Sequence, residues 1–577
     1  MKQIIFSLLV ALFMVPIGLK AQTMDTVIVQ SDSYTGQGNL NDSIQTHINN
    51  NTLSNTVFEL QPAGYYVLSG IITTPKGSQL TIIGPNQGNG STALPQIIQT
   101  SSISWGGPIL DIYGNITMKN VWFLYANTQG LQDGGAIVIE DDSLADLSGA
   151  GEVADFNDVI FDYSSNGDGS GGSVTLQCKD FKGTFTNCYF RNDVSPTFQW
   201  YGRAVSWTYQ STAWHTDSIS FVNCTFNNMG YGLMQESPEY ADNVWFNHCT
   251  FLNIMLFPME SGYWHNIAVA NCVFENTFMV GSTLAGYSHG APNGGTLNID
   301  SLSTIGFTVP YDSLQRHIIF THSAYYEQSW LTNWMATSPF ADTVKNDSDK
   351  VSPQPMVSKK TMSFSDNPDY PYIHISDLYD GVNPHMIDPP TNIDSAKAFL
   401  EGVWAGGATV DWSYDPDSST QGKWPLPGSM TYTNDTLLTA GMGGFPLGDL
   451  YHWFPAQYAT WQKQEAAENA AINDSLNFIT AVTSAAPEVP KQFSLDQNYP
   501  NPFNPTTVIS YSVPKRGFVS IAVYNVLGER VTTLVSGVQA PGNHEVDFNG
   551  AGLASGVYFY RLDAGSVSLT KKMVLLK

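Results

Sequence analysis

Charge is scarce in this chain. Only 13% of its 577 residues are Asp, Glu, Lys or Arg, about half the ~25% usual in soluble proteins. Basic charge is scarcest: 24 Lys and Arg stand against 50 Asp and Glu, a formal net charge of −26. A surface this acidic repels phosphates, which excludes nucleic acid as a partner. The five cysteines contain no C-x2-C spacing, which argues against a zinc site. Beyond Ile4–Leu19, no run is long and apolar enough to span a bilayer. A leucine framework is missing too, which removes a leucine-rich repeat.

An apolar fraction of 42% is ample for a core. A single globular core rarely grows past ~250–300 residues, so several domains or an elongated repeat is required. Residues 22–490 hold 14 basic against 45 acidic residues, whereas 491–577 hold 8 against 5, so a separate C-terminal module is expected. At the N-terminus, Lys2, the apolar run and Lys20-Ala21-Gln22 read as a secretory signal over residues 1–21.

One four-residue pattern recurs: Asn120-Val-Trp-Phe123, Asp158-Val-Ile-Phe161, Asn187-Cys-Tyr-Phe190, Asn223-Cys-Thr-Phe226, His248-Cys-Thr-Phe251 and Asn271-Cys-Val-Phe274. The phenylalanines are 38, 29, 36, 25 and 23 residues apart, mostly after short alternating runs. Alternation means strands, and the polar residue between two strand-like pieces marks a sharp bend. Spacing near 23–25 with insertions fits one coil of a parallel β-helix, with equivalent residues stacked at the ~4.8 Å strand separation. Cys188, Cys224, Cys249 and Cys272 share one register and are expected as buried thiols, with Cys178 apart from them.

Upstream, Asn41–Ile48 reads as a short capping helix, and Phe58–Tyr66 and Leu80–Gly84 as strands. This order, running on through Ile116–Val121, resembles the opening of the pectin lyase-like β-helix superfamily over residues ~25–310. The resemblance implies a right-handed parallel β-helix. Residues 308–459 lose the coil spacing and are expected as late coils and loops over the open end. Thr460–Phe478 reads as one helix, and 484–490 as a linker within a 460–490 connection. The fold class is thus all-β: a β-helix over 22–459, then a small Ig-like β-sandwich over 491–577.

The tail carries Asn498-Tyr-Pro-Asn-Pro-Phe-Asn-Pro505, roughly seven short strands, and the closing Lys571-Lys-Met-Val-Leu-Leu-Lys577. It closely resembles the type A sorting domain of type IX secretion. That resemblance implies the secretion machinery as partner and a secreted or outer-surface location.

Candidate chemistry sits in the repeat. Glu236 lies 10 residues after Phe226 and Glu260 lies 9 after Phe251. Stacking Tyr231–Glu236 on Met255–Glu260 is expected to bring these carboxylates about 5 Å apart, near the separation used by retaining glycosidases. Tyr201–Ser206 reads as the equivalent stretch one coil earlier, with Arg203, His215 and Asp193 near the same face. The superfamily resemblance implies that lyase chemistry would need calcium and a basic residue to take a sugar proton, a role open to Arg203. Asp193 and Asp168, the latter in a Gly/Asp loop at 166–172, are candidate calcium ligands. Trp200, Trp207, His215 and Tyr231 are candidates for sugar contact, since exposed aromatics stack on sugar rings. The bland alternative leaves Glu236 and Glu260 solvated or holding calcium, and most aromatics in the core. No polygalacturonase or pectin methylesterase motif is found, so no family catalytic residue carries over. A polysaccharide lyase or glycosidase and a non-catalytic adhesin, glycan-binding or structural surface protein both stay open.

Overall fold

The computed structural model describes residues 24–477 and 492–577, apart from 33–35, 37, 87–92, 101–108, 128–136, 141–150, 164–171, 194–201, 208–214, 235–239, 261–263, 282–294, 298, 300–315, 338–352, 366, 368, 405–423, 516, 540–541 and 566. The signal segment, Asp168, Trp200, Glu236 and the 484–490 linker therefore lie outside the described residues. The chain divides into two units, 1–480 and 481–577.

The first unit is a parallel β-helix with three strands per coil. A first ladder runs from Asp25–Val29 to Ile373–Ile375, and a second from Tyr65–Leu68 to Leu378–Asp380. A third, of seven strands, runs from Ile72–Thr73 to Met259–Glu260. Helix Asn39–Asn49 buries Leu40 and Ile44 against the first coil, as the capping-helix expectation required.

The turn from first to second ladder is made by the polar residue that opens each repeat. Asn120, Asp158, Asn187, Asn223, His248 and Asn271 all have φ between 51° and 56°. Asn and Asp enter this left-handed region more readily than other side-chain-bearing residues, which is why they recur there. A second left-handed column, Asn192, Asn228, Asn253 and Asn276, turns the chain toward the third ladder. Its amides bond upward from coil to coil: Asn253 Nδ2 donates to Asn228 Oδ1 and Asn276 Nδ2 to Asn253 Oδ1, both at 2.9 Å.

Inside the coil the expected phenylalanine row is present. Centroids of Phe161, Phe190, Phe226, Phe251 and Phe274 follow one another at 4.6, 5.1, 4.5 and 4.9 Å, with planes within 9° of parallel. A second row, Phe156, Phe185, Phe221 and Phe246, stacks at 5.0, 4.8 and 4.7 Å. The spacing matches the strand separation because each ring rides on its own rung. The five cysteines are buried free thiols.

Beyond residue 308 the expected late coils are present, but the loops take a different course. Two more coils form, at His317–Tyr326 and Ile373–Asp380, with helix Ser329–Thr337 between them. Residues 384–390 and 424–461 then fold back along the outer face of the second ladder instead of only closing the open end. Met430 and Trp453 cover Trp122, Ile160 and Tyr189 there, and Phe445, Leu447 and Leu450 join Val273 and Ala324. Gly448 (φ 83°) lies so close that a Cβ would stand 2.5 Å from Thr250 Oγ1, so the strap needs glycine at this point. The expected single helix at 460–478 is two, Pro455–Trp461 and Glu465–Asn477. The break lets Glu468 accept hydrogen bonds from the Trp461 indole (3.0 Å) and Asn247 (2.8 Å), both buried, a reward that continuous helix propensity does not register.

The second unit is an antiparallel sandwich of seven strands in sheets of three and four. Ile509, Ile521, Tyr560, Leu562 and Met573 fill its interior.

Candidate functional site

Each third-ladder strand alternates. Leu110, Ile112, Ile137, Ile139, Val174 and Leu176 enter the core. The intervening positions Thr73, Asp111, Val138, Thr175 and Ser206 form an outer column, each in register with the next, and the backbone register runs on through Met234 to Glu260. A second column holds Glu140 beside Gln177. Tyr113 follows directly after strand Leu110–Ile112 and lies near enough to Glu140 to feel its charge.

The column is closed in its middle and open at its start. Thr175 and Ser206 are buried, whereas Asp111, Tyr113, Glu140 and Gln177 are half-buried. Burial pushes the Glu140 carboxyl up to about 7, and the Asp111 charge adds to the rise. Burial also raises Asp111, partly offset by the Thr73 hydroxyl 3.3 Å from Oδ2. The Tyr113 phenol is raised by burial and then by both carboxylates, so the three form one electrostatic group. A carboxyl that titrates near neutrality beside a more acidic one is the arrangement that acid–base chemistry uses.

The expected site residues are not gathered in one place. Leu233 pairs with Met259 and Met234 with Glu260, so the register is two residues away from the one that would face Glu236 with Glu260. Arg203 likewise faces Tyr231, displacing the expected Tyr201–Tyr231 pairing by two. The inward apolar row Val174, Val205, Leu233 and Met259 sets the register, since a slip would bring polar residues into the core. Arg203 is fully buried, with its guanidinium 5.9 Å from the Tyr231 ring centre, and Tyr231 is only 3% exposed. This corrects their expected placement on an exposed face: they pack against each other.

Trp207 is also a core residue, its indole N–H donating to Thr216 Oγ1 at 2.7 Å. His215 belongs to the first ladder, opposite Tyr240, and so lies on a different face from Arg203. Asp193 continues the interior column of Met229 and Ile254 and accepts the Ser173 hydroxyl at 3.2 Å. At 1% exposure its carboxylate is not offered to a cation from solvent. Among the described residues no group of three His, Cys, Asp or Glu side chains converges on one point.

A buried acid–base pair lies under the strap. His452 Nδ1 is 2.5 Å from Asp449 Oδ2, and burial, which opposes its charge, is outweighed by Asp449, so the imidazole is raised. The Thr225 hydroxyl donates to Asp449 (2.6 Å), and it accepts from the Trp453 indole (2.9 Å). A nucleophilic hydroxyl would instead bond the imidazole. Asp449 also caps helix Leu450–Trp453, so this cluster fastens the strap.

Sequence reading missed Asp111 and Glu140. Their signal was the alternation in Leu110-Asp-Ile-Tyr113 and Ile137-Val-Ile-Glu140, with an acid in the outward phase of each. Insertions of different lengths separate these strands from the repeating phenylalanines, which hides the shared face.

No curated protein and no solved structure matches the chain. Residues 497–576 match the secretion system C-terminal sorting domain family. The second unit is thus a secretion sorting domain, and the protein that carries it is directed to a secreted or cell-surface location.

Proposed function

We propose that this exported β-helix binds an extended polysaccharide along the outer face of its third ladder and hydrolyses it there, with Glu140 as proton donor and Asp111 as the second carboxylate. The observation that carries the reading is the half-buried Asp111–Glu140 pair, with Glu140 brought to about 7. Glycosidases need two carboxyl groups in unlike protonation states flanking the scissile bond. The backbone register runs on to Glu260 five strands further, ~24 Å away at the usual strand separation. The pectin lyase-like resemblance favours an acidic polymer, for which calcium would offset repulsion from a chain of net charge −26.

The test is a panel of neutral and uronic-acid polysaccharides, with and without calcium, read by new reducing ends and by ultraviolet absorbance of unsaturated products. Reducing ends without unsaturation are expected, falling ~10²–10⁴-fold in Glu140→Gln. Calcium-dependent unsaturated products would replace hydrolysis with elimination. Binding without cleavage would make the face the scaffold of an adhesin.

A further inference from the structure

At the far end of the β-helix, Tyr325 points into the core from strand Ser323–Tyr326. Its hydroxyl carries one proton yet meets two oxygens, Glu327 Oε1 at 2.8 Å and the backbone carbonyl of Gln354. A carbonyl only accepts, and an ionised carboxylate also only accepts. With Glu327 charged, one of these two contacts would be oxygen against oxygen with no hydrogen between. Glu327 Oε2 is moreover buried and has no hydrogen-bond partner among the described residues, a costly position for an anion. A proton on Glu327 closes the inventory: Glu327 donates to the Tyr325 oxygen, and Tyr325 donates to Gln354.

Among the described residues, the neighbours of Glu327 supply no positive charge. The titratable groups facing Glu327 are Tyr325 and Glu275, and Asp380 acts in turn on Tyr325. Glu275 is 1% exposed, accepts from Gln328 Nε2 at 2.5 Å, and leaves its own Oε2 buried and unbonded. Burial first, and then the Glu275 charge, push Glu327 up to about 8 against the smaller opposing effect of Tyr325.

Gln354 opens the segment that closes the end of the coil. Thr296 N–H donates to the Pro355 carbonyl (3.0 Å) and Leu297 N–H to that of Met356 (2.8 Å), while Met356 and Leu297 sit in the core. We propose that Glu327 is a neutral carboxylic acid near pH 7 and that its proton latches this closing segment to the last coils, so that alkali releases it. The sign follows from linkage. The folded chain keeps a proton that the unfolded chain gives up near ~4.3. The latch therefore loses stability as pH rises from there through about 8.

The test uses the full chain. The infrared spectrum of wild type minus Glu327→Gln at pH 6 is expected to contain the carbonyl band of a protonated carboxylic acid. Hydrogen exchange, corrected for intrinsic rate, is expected to show residues 295–297 and 354–358 losing about a hundredfold protection between pH 6 and pH 9. Glu327→Gln should hold that protection at pH 9, because its amide still donates to Tyr325 and cannot ionise. Tyr325→Phe, which removes the shared oxygen, should be poorly protected at both pH values. A difference spectrum without the carboxylic-acid band, or pH profiles identical in wild type and Glu327→Gln, would overturn the proposal.

Discussion

The second and third ladders share every coil through the middle of the β-helix, yet their outer faces have opposite characters. On the second ladder the outward side chains include Trp122, Ile160 and Tyr189, and the strap of residues 424–461 buries them. On the third they include Asp111, Thr175 and Ser206, with Asp111 and Glu140 left half-buried. Inward rows of both are apolar and continuous, so coil stability does not explain the difference. An apolar outer row belongs to a face that the chain covers itself. A polar row with two interacting carboxyl groups belongs to a face kept for something else.

The largest expected effect strikes both faces alike. Phe226→Ala removes a ring stacked between Phe190 and Phe251 and should cost ~3–5 kcal/mol. All 14 tryptophans precede residue 481, so tryptophan fluorescence in a urea titration reads the first unit alone. A loss below ~1 kcal/mol would mean that the interior rows do not hold the coils together.

Asp449→Asn should separate the faces. It weakens the contacts to His452 and Thr225, costing about 2 kcal/mol in the same titration while leaving polysaccharide turnover intact. Equal losses of stability and turnover would join the strap to the working face. Glu140→Gln is the converse: turnover collapses while stability moves by less than ~0.5 kcal/mol. Wild-type turnover should also fall as pH climbs through about 7, where Glu140 loses its proton. The smallest effect is expected from Thr73→Val. Losing that hydroxyl removes the influence that lowers Asp111, so the acid limb of the pH–turnover profile should move upward.

Legibility in the sequence followed distance along the chain. The bends and the first phenylalanine row could be read because each repeat packs a left-handed polar residue and an inward ring within four positions. The second row was equally regular, each ring five residues before one of the first, but lay in strands not aligned for that purpose. The third-ladder register differs by two from the stacking expected by counting from the phenylalanine row, because the inward apolar row governs stacking. The strap escaped because its contacts are remote: Asp449 meets Thr225 across 224 residues.

The sequence by itself determined the coil, its bends, the buried thiols and the sorting domain, because each depends on a short pattern whose physics is local. Tertiary structure alone decided that Asp111 and Glu140 share a half-buried face, that Arg203 and Trp207 are interior, and that the Tyr325 hydroxyl meets both Glu327 and the Gln354 carbonyl. Those outcomes depend on which rungs stack and what covers them, so burial and electrostatic coupling arise between residues that no spacing rule connects.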